Sequence, residues 1–308
     1  MSVILYALAG LLLICLIAGA AVALRVTWRL THPERKPVDM DPKDFGINHV
    51  QSVQFESREK HISLAGWYLC AEQNGCSSNG KLLIFAHGYS QNRLEPHLPA
   101  LSLAAKLLDA GFDVFMFDFR NAGDSSDSLT TIGLREQQDL LGAIDYAASV
   151  HPEKTIGLVG FSMGAATALL VGGEDARIRA IVADSPFYSL QEYLEENLPQ
   201  WTGLPRFPFN WFIMTLSPIL LGANPRHVKP YKAVKLAEKP IFLIHGTNDA
   251  TIPTANSERL YSLATDSHSA LWLVPDAGHV RSYALVPDEY ASRVIAFLEK
   301  GMQKKQLR

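Results

Sequence analysis

One glycine-flanked serine constrains this chain more than any other feature. Residues 155–159 are an apolar run that leads into Gly160-Phe161-Ser162-Met163-Gly164, and a run of small helix formers, residues 165–171, follows at once. The pattern is G-x-S-x-G between a strand and a helix, the arrangement of a nucleophile elbow. On such a turn the serine takes a strained backbone, so the residues two before and two after it must lack side chains. The hydroxyl then stands clear of a sheet, at a helix N-terminus whose N–H groups favour developing negative charge.

The rest of the chain says what that turn is built into. Its 308 residues fit one α/β domain with additions, or two small domains. Apolar residues make up 48% and charged residues 19%, enough for a large core and against general disorder. A net charge of −3 gives no electrostatic case for nucleic acid. Three cysteines are too few for a disulfide scaffold; Cys70 and Cys76 are close enough to bridge outside the cell, with free thiols the default. No Cys/His spacing suggests a metal, and nothing implies a cofactor.

Residues 3–24 are almost wholly apolar and long enough to cross a bilayer as a helix. Arg25, Arg29, Arg35 and Lys36 follow, with Trp28 as an interfacial anchor. Ala18-Gly19-Ala20 and Ala21-Val22-Ala23 resemble signal cleavage sites, but no basic segment precedes the apolar run. The expectation is an uncleaved anchor over residues 1–28. A Pro-rich, charged linker over 29–48 would then lift a domain at 49–308 off the membrane. Basic charge after the span puts that domain on the cytoplasmic face.

Within the domain, residues 50–55 and 62–69 alternate like a hairpin. Apolar runs at 81–86, 114–117, 155–159, 178–183, 241–244 and 270–274 are separated by helical segments at 101–110, 134–149, 165–171 and 289–300. Continuous apolar strands between helices argue a mostly parallel sheet covered on both faces. Residues 188–239 are too long for one crossover helix and carry Tyr193, Trp201, Phe207, Phe209, Trp211, Phe212 and Met214. They are expected to form a small helical cap, some of whose aromatics line an apolar acyl or leaving-group pocket.

A serine hydroxyl needs a base, and the usual histidine needs a carboxylate to fix its tautomer. Ser162, Asp249 and His279 occur in the order nucleophile, acid, base, each just past a predicted strand. Asp184 is the alternative acid. His87 and His245 directly end strands and are assigned structural roles, and His268 lies on the wrong side of the sheet. The backbone N–H groups of Met163 and Tyr89 are the candidate oxyanion donors. Asp118 and Arg120 are expected to brace the loop around Gly123.

From residue 50 onward the chain resembles the α/β-hydrolase superfamily, and within it bacterial membrane-anchored serine hydrolases related to the cinnamoyl-esterase and dienelactone-hydrolase-like groups. The residues that carry the likeness are His87-Gly88-Tyr89-Ser90, Asp118-Phe119-Arg120-Asn121-Ala122-Gly123-Asp124-Ser125, the serine pentapeptide, Asp184-Ser185-Pro186-Phe187, Asp249 with Ile252-Pro253, and Gly278-His279. The resemblance implies cleavage of a small-molecule ester or acyl substrate through an acyl-serine. A serine peptidase or acyl-peptide hydrolase of the same fold, and a catalytically silent binding protein, are the alternatives, because the fold hosts many activities.

Overall fold

The first helix, α1 (Ser2–Thr31), does not behave as a detached anchor in the computed structural model, which describes residues 2–303. Its side chains from Val3 onward are exposed until Gly19, apart from Leu12, which is not described. Gly19, Ala23, Thr27 and Thr31 are then buried, four residues apart on one face. The helix also runs past residue 28, the expected end of the anchor. Its last carbonyls, orphaned by the helix end, find partners in the domain: Leu30 O accepts from the Tyr89 hydroxyl and Thr31 O from the Thr130 N–H, both at 2.9 Å.

The segment after α1 is not the free spacer the composition suggests. Arg35 donates to the carbonyls of Gly123 and Ser125 and pairs with Asp127. Lys36 donates to Gln91, and Asn92 donates to the carbonyls of Lys36 and Pro37. Pro42 and Ile47 are buried against the domain. The stretch is a strap laid across the loops after the third and fourth strands.

The described residues then form one eight-stranded sheet. Its strands are β1 (Gln51–Glu56), β2 (Ser63–Leu69), β3 (Lys81–Ala86), β4 (Asp113–Phe117), β5 (Thr155–Phe161), β6 (Ile178–Asp184), β7 (Ile241–Gly246) and β8 (Ala270–Val274), in the order β1-β2-β4-β3-β5-β6-β7-β8. The antiparallel pairs β1–β2 and β2–β4 end one side, and every later pair is parallel. Every residue of β4 and β7 is buried, as strands covered on both faces require.

The helices are α2 (Ala100–Asp109), α3 (Glu136–Val150), α4 (Met163–Glu174), α5 (Leu190–Thr202), α6 (Trp211–Leu221), α7 (Pro230–Leu236), α8 (Ala255–Tyr261), α9 (Ser282–Leu285) and α10 (Pro287–Gly301). Leu101, Ala104, Leu107 and Leu108 of α2 and Tyr290, Val294 and Leu298 of α10 recur at helical spacing and fill the core on one face of the sheet. Leu140 and Ile144 of α3, Ala165 and Leu169 of α4 and Val234 of α7 fill the other. The cap is narrower than expected. It comprises α5 and α6, whereas α7 packs on α4 as the ordinary crossover helix of the sheet. The buried face of α1 lies along α6, with Ala23 in the same cluster as Phe212 and Ile213.

The chain leaves β3 for β4 on one side and returns to form β5 on the other. That reversal opens a crevice beyond the carboxyl ends of β3 and β5, where parallel sheets place ligands.

Candidate active site

Ser162 stands at that crevice with φ 53° and ψ −113°, the strained turn its pentapeptide anticipates. Two glycines make the turn fit. A Cβ on Gly160 would lie 2.5 Å from the Gly164 carbonyl oxygen, and one on Gly164 would lie 1.9 Å from that of Ala86. Both obstacles are backbone and cannot swing away. The Ser162 N–H donates to Asp184 O at 2.8 Å, and the Ser162 carbonyl accepts the first turn of α4 from Ala166.

Asp249 follows β7 in a turn that its own carboxylate closes. Oδ1 accepts the N–H groups of Thr251 and Ile252 at 2.8 Å each. Oδ2 lies 2.7 Å from His279 Nδ1 and 3.2 Å from His245 Nε2. His279 sits in the turn after β8, and that turn is tied to the β7 loop: Asn248 N–H donates to Ala277 O, and Asp276 N–H to the Thr247 hydroxyl. His279 Nε2 then lies 2.9 Å from Ser162 Oγ. The three residues singled out along the sequence are thus brought into one hydrogen-bonded line.

The electrostatics fix its direction. Burial alone would raise the Asp249 carboxyl, but hydrogen bonds from His245 and His279 hold it well below the usual range. An ionised carboxylate only accepts, so His279 Nδ1 carries the proton and the lone pair of Nε2 faces Ser162. His245 is fully buried, with Nδ1 at 2.7 Å from the Ser257 hydroxyl and Nε2 at 2.7 Å from Ile252 O. The residue assigned a structural role stands directly behind the acid.

Asp184 does not back His279. Its oxygens accept from the Ser185 and Tyr290 hydroxyls at 2.8 and 2.9 Å, and burial pushes its carboxyl up to about 6. His87 also works in the frame: Nδ1 donates to Gly88 O at 2.8 Å and Nε2 accepts the Phe119 N–H at 2.9 Å, joining the loops after β3 and β4.

The loop of Gly88 and Tyr89 faces the serine, since a Cβ on Gly88 would be 3.6 Å from Ser162 Cβ. Glu95, which sequence reasoning passed over, anchors this loop by accepting the Gly88 N–H at 2.6 Å. It is completely buried, and burial pushes its carboxyl up to about 7. Only the turn-rich stretch 90–99 could have hinted at a carboxylate folding back over seven residues. Asp118 braces the Gly123 loop as expected, accepting from Arg93 and from the Asp124 N–H. Arg120 does not; Nε and Nη2 donate to Asp139 of α3 and Nη1 to Glu59 in the β1–β2 turn, so its guanidinium is engaged away from that loop.

Among the described residues, no group of three or more His, Cys, Asp or Glu side chains is arranged to hold a metal ion. The arrangement is suited to activating a hydroxyl beside backbone N–H groups.

Comparison with known proteins places this geometry in context. Residues 81–213 match the family described as alpha/beta hydrolase fold. The uncharacterized protein YqkD of Bacillus subtilis (strain 168) is 31% identical over 226 residues, covering 70% of each chain. The mouse lysophosphatidylserine lipase ABHD12 is 24% identical over 294 residues, covering 86% of this chain and 71% of that protein. Among solved structures, the Pyrococcus furiosus esterase Pf2001 superposes with a TM-score of 0.73 at 29% identity, covering 89% of this chain and 99% of the esterase.

Proposed function

Because this chain belongs to the α/β-hydrolase superfamily and is a hydrolase by that kinship, we propose that it cleaves carboxylic esters through an acyl-serine on Ser162. One observation carries the reading: the continuous line from Asp249 Oδ2 through His279 to Ser162 Oγ, with links of 2.7 and 2.9 Å. As Ser162 Oγ attacks the ester carbonyl, its proton passes to His279 Nε2. Asp249 stabilises the imidazolium that forms. The N–H groups of Met163 and Tyr89 receive the charge that develops on the carbonyl oxygen. Collapse expels the alcohol, which takes the proton from His279. A water then gives a proton to the same nitrogen and attacks the acyl carbon; as the acid departs, His279 returns that proton to Ser162 Oγ.

In this reading α1 stays attached as a single membrane anchor. Cleavage after Ala20 or Ala23 would strip Gly19 from the ring of Phe212, against which it packs. The basic residues after the span assign the domain to the cytoplasmic side. The test is labelling by a fluorophosphonate probe. Wild type should react and Ser162→Ala should not, with p-nitrophenyl butyrate turned over and amino-acid anilides left intact. Equal labelling of the two proteins would end the proposal.

A further inference from the structure

The cap carries aromatic surface that its own core does not use. Phe207 is 81% exposed, Trp211 58% and Trp201 45%, and all three lie on the part of the cap that meets α1. The depth of that surface follows from the helix. A bilayer core about 30 Å thick needs about 20 helical residues. Counted from Val3, that length ends near residue 22. The stretch whose described side chains are exposed, within residues 3–18, supplies only ~24 Å of it. The shortfall must come from the turn that begins at Gly19, where the buried face of α1 already meets Phe212. A span long enough to cross therefore carries the facing end of the cap to the level of the membrane surface. Arg25 and Arg29 come next along α1, at the depth where guanidinium groups meet lipid headgroups.

A groove of about 280 Å³ opens at this level between α1 and the end of α5. Val22, Val26 and Leu30 form one wall, with Arg25 and Arg29 on the same helix also lining it, and Leu198, Trp201 and Leu204 form the other. Two lines of contact run from its walls toward the loops that carry the site. Leu30 O accepts the hydroxyl of Tyr89. The Trp201 ring meets Tyr193 edge-on at 5.4 Å, and Tyr193 stacks on Phe187 beside the β6 loop.

We propose that the cap end bearing Phe207 and Trp211 is seated in the bilayer surface beside α1, and that the groove receives the acyl chain of a membrane-resident ester directly from lipid. The occupant is the bilayer rather than a second copy of the chain, because the surface continues the apolar face of a helix of spanning length. The substrate half rests on the esterase reading above, and the docking half on the reading of α1 as a membrane anchor.

The experiment uses the full chain in phosphatidylcholine vesicles, with and without brominated acyl chains. Tryptophan quenching by the brominated lipid is read on Ser162→Ala, so it is independent of turnover. Quenching should be strong and should fall when Trp211→Phe is introduced. In the active protein, Phe207→Ser with Trp211→Ser should lower hydrolysis of a vesicle-embedded long-chain monoacylglycerol by about tenfold or more. Hydrolysis of water-soluble p-nitrophenyl acetate should stay within about twofold of wild type. Both substituted side chains are exposed, so the fold should hold, and an unchanged melting temperature would verify it. Loss of both activities in equal measure, loss of neither, or a Trp211 untouched by brominated lipid would overturn the proposal. So would protection of Trp211 that rises with protein concentration, which marks a second copy. A wild type inert toward both esters would instead remove the catalytic reading and its substrate, while quenching still decides where the cap sits.

Discussion

The carboxyl rim of the sheet and the seam between α1 and the cap are linked through Tyr89, whose hydroxyl reaches Leu30 O, yet they are held in different ways. At the rim, Ser162, Asp249 and His279 are fixed by backbone: a strained turn between two glycines, a carboxylate closing its own loop, and a histidine turn tied to its neighbour. At the seam, contact is side chain against side chain, a small-residue stripe on α1 meeting Phe212 and Ile213, with large aromatics left outside. Backbone positioning tolerates little displacement, as group transfer demands. A side-chain seam tolerates repacking. Chemistry should therefore be lost through the rim, and substrate preference altered through the seam.

The largest effects should separate the two carboxylates of the rim. Ser162→Ala and His279→Ala should each lower kcat by on the order of 10⁴-fold or more while leaving the melting temperature near wild type. Asp249→Asn should cost nearly as much, because an amide in its place no longer compels the same His279 tautomer. Asp184→Asn should instead retain activity within about tenfold and lower stability by about 1–3 kcal/mol, since it disturbs the buried bond to Tyr290. Esterase assays and thermal melts on the four proteins check this, and equal losses for the two aspartates would show that the rim works as one network rather than through a single acid.

A smaller effect should come from the seam. A Cβ on Gly19 would approach the Phe212 ring to 2.7 Å, so Gly19→Leu must push that ring aside. The expected result is a change of several-fold in kcat/KM for long-chain esters with little change for acetyl esters, measured in vesicles. A uniform fall across chain lengths would mean that α1 acts on the rim itself, through Leu30 and Tyr89.

The same contrast explains what could be read from the sequence. The rim was legible because each of its parts leaves a local mark: a glycine pair around Ser162, an apolar run before each loop, and the order of serine, aspartate and histidine. The seam was not, because its signal is relational. Gly19, Ala23, Thr27 and Thr31 recur every four residues, but within an apolar run that spacing is indistinguishable from lipid-facing sequence until Phe212 is found against it. Arg35 and Lys36 read as charges beside a membrane, whereas both are spent on loops of the domain. Short helices such as α8 and α9 escaped because seven and four residues carry too little periodicity. Arg120 was misassigned for a similar reason, since its partner Asp139 lies one helix away.

Glu95 gives the smallest but most direct reading of how tightly rim and seam are joined. Its carboxylate accepts the Gly88 N–H, next to Tyr89, whose hydroxyl reaches back to α1. Burial raises it from 4.5 to about 7, against the pull of that bond and of Lys36, with Asp184 adding to the rise. The sign is that of an acid whose carboxyl is easier to protonate when folded. Its contribution to stability is complete below pH 4.5 and declines as pH rises toward 7, by on the order of 3 kcal/mol. Glu95→Gln keeps an acceptor for Gly88 but cannot ionise. It should flatten the fall in melting temperature across that window by a few degrees and leave stability at pH 4.5 nearly unchanged. Activity at pH 5 should stay within about threefold of wild type, because the neutral carboxyl and the amide hold the loop alike. If the two melting curves run parallel from pH 4.5 to 7, the carboxyl is already charged in that range. The loop would then be fixed by an ionised carboxylate rather than by a neutral carboxyl.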